Sequence, residues 1–528
     1  ITITGEFYSL TVKKVYSYTG AALDGAMFQL TRDGSAVGLT QTSAGVYTAG
    51  GNTTQFTTNN GMAVISGLPG GAFQLVEVSA PSAAYTASAA SGISLTQNAS
   101  VTVQNAPTEL EITKTDKTTG AAMANVTFTL LDSAGNAVRL SKAADGTYRP
   151  DSNGSTAIVT DANGKAKIMY LPKGKYTLRE TVPAGYAPQA DGTINLTGKS
   201  SVSVINEKLV LDISKTNGYT GKAMAGISFT LLDSTGTAVK LAKTADGSWQ
   251  PSASGTSTFV TDANGKAKIT GLTPGRYTVR ETPLPGYAPQ SDKVADLTSK
   301  SASLSFVNAP LAFAMTKVDS FTGKTLAGVA FTLLDSAGNP VKLKRQGDGV
   351  YHYDPNGTAG FVTGADGKAL ILYIPAGSYI LRETTETATG YAAAKDVPVS
   401  VTNASGTDAP ATVRFQNDPI TLEFNKSDAL TKEPLDGGVF QLKDAAGAIV
   451  KLKQIEAGSY RPDSGGEATF TTKNGEAVIR YLTPQQYTIT EVTPPKGYKA
   501  DTDKTVTVAA ANDVGNAAKA SMQDQAIA

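Results

Sequence analysis

Cysteine is absent from all 528 residues, and histidine occurs once, at His352. The first absence excludes disulfides, thiolate metal sites and thiol nucleophiles together. The second leaves no set of imidazoles for a metal centre or a triad, and His352, flanked by Tyr351 and Tyr353, reads as a surface strand residue. An excess of one charge is also lacking: 46 Lys and Arg stand against 45 Asp and Glu, without a basic cluster. Neither nucleic acid nor an anionic membrane surface is therefore an expected partner. No apolar run reaches the roughly 18 residues of a membrane span, and the first residues do not read as a signal peptide. The opening Ile1-Thr2-Ile3-Thr4 reads as the middle of a longer protein. Carboxylates paired across a cleft, a phosphate loop and a Ser/His pair are missing too, so no cofactor, metal or turnover chemistry is expected.

What is present is repetition. Lysines 14, 114, 215, 317 and 426 open equivalent segments at spacings of 100, 101, 102 and 109 residues. An internal period of this size overrides the domain count that length alone suggests. The expected modules are 1–107, 108–208, 209–310, 311–419 and 420–528. Within each, short alternating runs recur about every 8–12 residues between turn signals, the pattern of a β-sandwich, and helical periodicity is nowhere evident. The second module reads Leu110–Lys114, Val126–Leu131, Ala157–Thr160, Lys167–Leu171, Lys175–Glu180 and Val202–Asn206. Asn163-Gly164 predicts a hairpin, because both residues tolerate positive φ. Asp161-Ala162-Asn163-Gly164 lacks the later ligands of a calcium loop, and its counterpart Gly364-Ala365-Asp366-Gly367 keeps only the turn.

Strand parity then singles out three polar residues per module. Residues two apart share a face, so Leu110 and Ile112 put Lys114 on the apolar side. Tyr176 and Leu178 do the same for Glu180, and Val202 and Val204 for Asn206. The other trios are Lys14, Glu77 and Asn105; Lys215, Glu281 and Asn308; Lys317, Glu383 and Asn417; and Lys426, Glu491 and Asp524. Lys13, out of phase with Lys14, should face water. Lysine and glutamate are rarely buried unless paired, so fifteen inward polar residues demand a chemical reason. One reason is a buried hydrogen-bonded salt bridge; the other is a covalent bond. Each lysine follows the preceding asparagine by nine positions, which leaves joints of two or three residues, such as Ala106-Pro107 and Ala309-Pro310, stiffened by proline.

The segments Lys215-Thr-Asn-Gly-Tyr-Thr-Gly-Lys-Ala-Met-Ala-Gly-Ile-Ser-Phe229 and Tyr277-Thr-Val-Arg-Glu-Thr-Pro-Leu-Pro-Gly-Tyr287 resemble the opening strand and the E-box of CnaB-type (SpaA-like, prealbumin-like) domains of Gram-positive pilins and surface adhesins. E-box matches recur at 176–186, 379–391 and 487–498. The first module departs with Phe73-Gln-Leu-Val-Glu-Val, and the last offers Asp524 and Lys432 where the others have asparagine and a turn glycine. The resemblance implies an all-β chain of five Ig-like (CnaB-type) sandwiches in an extended rod. It also implies a spontaneous isopeptide bond from each lysine to its Asn or Asp, assisted by Glu77, Glu180, Glu281, Glu383 or Glu491. Burial favours the neutral, nucleophilic amine and the neutral carboxylic acid, and the acid can then shuttle a proton to the leaving group.

The function this implies is a structural stalk of a wall-anchored, extracellular adhesin or pilus, monomeric in solution, and the Thr-, Ser-, Ala- and Gly-rich composition agrees. Sortase attachment to wall or pilus, and contact with a host matrix protein or glycan, would belong to regions outside this stretch, which shows neither a sorting signal nor a polymerising-lysine motif. The alternative is a ligand-binding adhesin module using the inserts 141–156, 242–258 and 344–360. Their near-repetition argues against one specific site.

Overall fold

The computed structural model describes residues 5–384 and 390–527, and among these every regular element is a strand. Part of the fourth E-box, 385–389, lies outside the described residues. In the second module one sheet runs Leu140–Lys142, Tyr148–Pro150, Lys165–Met169, Glu109–Asp116, Lys199–Asn206. The facing sheet runs Ile158–Val159, Thr127–Leu131, Gly174–Glu180, Gly192–Leu196. The alternation that predicts these strands also makes the core: Leu110, Ile112, Phe128, Leu130, Ile168 and Leu178 all point between the sheets and are buried. Four more modules repeat the arrangement, each around its own core cluster.

Each module's first and last strands lie side by side and parallel. Glu109–Asp116 pairs with Lys199–Asn206, and the same pairing joins Phe7–Tyr16 to Ala99–Asn105 and Val210–Asn217 to Ala302–Asn308. It recurs for Ala312–Asp319 with Ala411–Asn417 and Thr421–Asp428 with Ala518–Ala526. Parallel neighbours need a long crossover; here the crossover is the rest of the module.

Three local expectations need correcting. At Asn163-Gly164 the flanking strands, Ile158–Val159 and Lys165–Met169, lie in different sheets instead of pairing as a hairpin; only Gly164 has positive φ, 69°, and Asp161 Oδ1 closes the turn by accepting the N–H groups of Asn163 and Lys165 at 2.9 and 2.8 Å. Both residues are positive at Asn60-Gly61 and Asn474-Gly475, where the accepting carboxylates, Asp24 and Asp436, come from a distant loop. His352 is half-buried, its ring 4.7 Å from and edge-on to that of Tyr373 in the same module; Tyr351 beside it is buried. The inserts are not free loops either. Residues 141–156 belong to a two-stranded hairpin, Leu140–Lys142 with Tyr148–Pro150, at the edge of the sheet, and bury Tyr148, whose hydroxyl bridges to Val159 on the opposite sheet. All five modules carry an equivalent hairpin.

Candidate functional site

The parallel pairing sets the lysine and the asparagine on adjacent strands, same face, two residues out of step. Lys114 is opposite Val204 and Asn206 opposite Asp116; Lys215 is opposite Phe306 and Asn308 opposite Asn217. The registers of the other three modules are the same. The glutamate comes from the facing sheet, opposite a phenylalanine in every module: Phe28 with Glu77, Phe128 with Glu180, Phe229 with Glu281, Phe331 with Glu383, Phe440 with Glu491. All five lysines are at most 1% exposed, while Lys13 faces water as parity requires.

In modules two to four the glutamate touches both partners. Glu180, Glu281 and Glu383 lie 3.6, 3.7 and 3.8 Å from Lys114, Lys215 and Lys317. The Nδ2 groups of Asn206, Asn308 and Asn417 donate to the same carboxylates at 2.8, 2.5 and 2.9 Å. Among the described residues the asparagine Oδ1 atoms accept nothing, and neither Lys215 nor Lys317 Nζ has a hydrogen-bond acceptor. Lys114 reaches only the Thr115 carbonyl, at 3.3 Å, and the Met123 sulfur. A buried ammonium without acceptors is costly, and the lysines respond as that cost dictates. Burial holds Lys14, Lys114 and Lys215 below the ordinary lysine range, against the pull of the neighbouring glutamate, and lowers Lys317 to about 8. Burial likewise pushes Glu180, Glu281, Glu383 and Glu491 up, opposed by lysine and amide contacts.

These arrangements are chemically competent for amide exchange. A neutral Nζ can attack the asparagine Cγ, and the nitrogen that must leave, Nδ2, already rests on the glutamate that can deliver its proton. Half a turn of the amide would bring Oδ1 onto a protonated glutamic acid, the orientation in which the carbonyl is polarised.

The end modules differ. In the first, Lys14 and Glu77 are 3.1 Å apart, but Asn105 Nδ2 donates to the Thr86 carbonyl at 2.6 Å. Glu77 instead accepts the Ser88 N–H at 2.7 Å. In the fifth, Lys426 lies between two carboxylates, 2.9 Å from Glu491 and in closer contact with Asp524, and the Asp501 N–H reaches both at 3.2 Å.

Two sets of residues escaped the sequence reading. The phenylalanines that wall the site lie a constant fourteen residues after each lysine, a spacing that could have revealed them. Two residues after each lysine stand Tyr16, Asp116, Asn217, Asp319 and Asp428. In Asp116, Oδ1 accepts the N–H groups of Thr118 and Thr119 while Oδ2 accepts the hydroxyl of Tyr186, the last E-box residue. Asp319 does the same with Phe321, Thr322 and Tyr391.

Comparison with known proteins follows the same five units. The model of the SpaA prealbumin-like fold domain matches residues 8–107, 108–208, 210–308, 312–417 and 420–525. The serine-aspartate repeat-containing protein D of Staphylococcus aureus is 25% identical over 433 residues; the match takes in 69% of this chain and 30% of that protein's length. Among solved structures, the shaft pilin SpaA of Lactobacillus rhamnosus GG is 20% identical over 41% of this chain and 98% of its own, with a TM-score of 0.22. The TIE protein of Bacillus anthracis is 16% identical over 79% and 75%, with a TM-score of 0.24. Matched in all five modules, the chain belongs to the SpaA prealbumin-like fold domain family.

Proposed function

We propose that this chain is a load-bearing stalk of a Gram-positive surface protein or pilus, exposed outside the cell, whose modules lock themselves with lysine to asparagine or aspartate isopeptide bonds. The observation that carries the reading is the recurrence of a fully buried lysine and a buried Asn or Asp on the strands that begin and end a module, beside a buried glutamate from the facing sheet. In each of the first four modules the lysine nitrogen bonds to the asparagine Cγ and ammonia leaves; at Asp524 water leaves. Each glutamate, Glu77, Glu180, Glu281, Glu383 or Glu491, moves the proton. The reaction happens once per module, so the protein is not an enzyme. Attachment by sortase, and any host glycan or matrix partner, falls to other regions of the protein.

A bond from Lys114 to Asn206 closes nearly the whole module. By analogy with disulfides, a loop of that size removes unfolded-state entropy worth roughly 4–5 kcal/mol. Tension entering on a first strand crosses directly to the last, then runs nine residues to the next lysine, so the enclosed chain carries no load. Intact mass tests the reading: the purified chain should weigh less than its sequence by four ammonias and one water. A chain at its unmodified mass overturns it.

A further inference from the structure

Consecutive modules meet through one recurring device. In modules two to five, the residue after the strand that pairs antiparallel with the first strand takes a left-handed backbone: Tyr170, Gly271, Tyr373 and Tyr481, with φ of 65°, 74°, 61° and 65°. Positive φ is a genuine outlier for a residue as large as tyrosine, so three of these four positions hold strain that something must hold in place. What holds it is the preceding module. Tyr481 donates to Asp319 at 2.7 Å, where Tyr391 already donates at 2.8 Å. Asn217 Nδ2 donates to the hydroxyls of both Tyr287 and Tyr373, at 3.2 and 3.1 Å. Tyr170 shares a 2.5 Å hydrogen bond with Tyr16 and packs edge-on to Tyr85. In each case the anchor stands two residues beyond a cross-link lysine, and the strained tyrosine plugs into the end of the module before it.

Between modules two and three the plug is missing. Gly271 occupies the place of the tyrosine, and the Asp116–Tyr186 pair that should receive a ring is met instead by Lys208, 3.8 Å from Asp116 and itself in the connector. Backbone contact persists there, since a Cβ on Gly185 would stand 2.9 Å from the Gly271 Cα. The corresponding glycines Gly286 and Gly390 abut Tyr373 and Tyr481 in the same way. The joints therefore share a backbone seat and differ in the ring that pins it.

We propose that the joint between modules two and three is the hinge of this five-module chain, and that the other three joints are latched by a left-handed tyrosine. The proposal does not depend on the isopeptide bonds: it concerns contacts between modules, whereas the trios lie within them. It also ranks the latches. The joint between modules four and five is the stiffest, because its acceptor is a carboxylate, which makes stronger hydrogen bonds than a neutral group, and because Arg480 lies 4.1 Å over the Phe321 ring across the same joint.

The absence of cysteine makes a direct test simple. Pairs of spin labels at the equivalent exposed positions before each E-box aromatic, Ala72, Lys175, Arg276, Ser378 and Gln486, give one distance distribution per joint in the full chain. The Lys175/Arg276 distribution should be about twice as broad as the other three, since weakly held domain pairs move. Gly271→Tyr should narrow it. Tyr373→Gly, which puts the residue suited to that backbone in place of a strained one, should broaden the Arg276/Ser378 distribution without lowering the melting temperature of module four. Four equal widths in the unaltered chain, or an Arg276/Ser378 width that ignores Tyr373→Gly, would overturn the proposal.

Discussion

The first and third modules carry the same three polar residues on the same strands, yet their glutamates are engaged differently. Glu281 holds the Asn308 amide and stands 3.7 Å from Lys215, so one carboxyl spans both of its partners. Glu77 is turned to the Ser88 backbone while Asn105 donates to Thr86. Identity and parity bring a residue to the right side of a sheet; its neighbours in the loop decide which atom it touches. The loop that supplies Thr86 and Ser88 has no E-box glycine-tyrosine turn, and the first module's departure, Phe73-Gln-Leu-Val-Glu-Val, is where the two modules part.

The largest effect expected is mechanical. With every module bonded, pulling the chain from its ends should give no unfolding step near a module's full length. Lys317→Ala should add one step of roughly 330–360 Å, the extended length of the 100 residues between positions 317 and 417. Full-length steps in a chain whose mass shows all the bonds would place the bonds off the force path.

Next comes a test of the comparison itself. Glu281→Ala should leave module three folded and unbonded, so tryptic peptides containing Lys215 and Asn308 separate. Glu77→Ala should slow bonding in module one by a smaller factor, because Glu77 does not hold Asn105. A time course by mass spectrometry in which the two substitutions act equally would erase the distinction between the modules.

The third prediction uses pH. Asn417→Ala leaves Lys317 buried without an acceptor carbon. Its amine titrates at about 8 in the fold against 10.5 ordinarily, so between those values the unfolded chain binds more protons and stability should climb with pH, by at most ~3 kcal/mol. Glu383 acts in the opposite sense in acid: its raised pKa makes stability fall as pH rises above the ordinary glutamate range. Urea midpoints that stay flat from pH 7 to 10 would mean that Lys317 is not held neutral.

The smallest effect is expected from Asp524→Asn. It removes one of two carboxylates beside Lys426 and changes the leaving group from water to ammonia, so the mass deficit of module five should shift by that difference with folding unchanged. Loss of bonding in this variant would show that the second carboxylate is required there.

Sequence alone determined the number of modules, the all-β class and which polar residues point inward, because a two-residue period and a hundred-residue repeat are written directly in the order of side chains. Lys13 outside and Lys14 inside is that rule at its plainest. The phenylalanine opposite each glutamate followed the same parity and was readable from its constant spacing, though only pairing between strands gives it a role. Tertiary structure decided the rest. The parallel adjacency of first and last strands, which sets Lys114 diagonal to Asn206, depends on how two sheets close over a core. So does the hand-off of Glu77 to Ser88, which arises from loop backbone that has no period to read. The left-handed tyrosines are the clearest case. Nothing in the order around Tyr170, Tyr373 or Tyr481 favours positive φ; the strain exists because a hydroxyl partner in the preceding module, more than 150 residues away in the chain, holds the ring where it is.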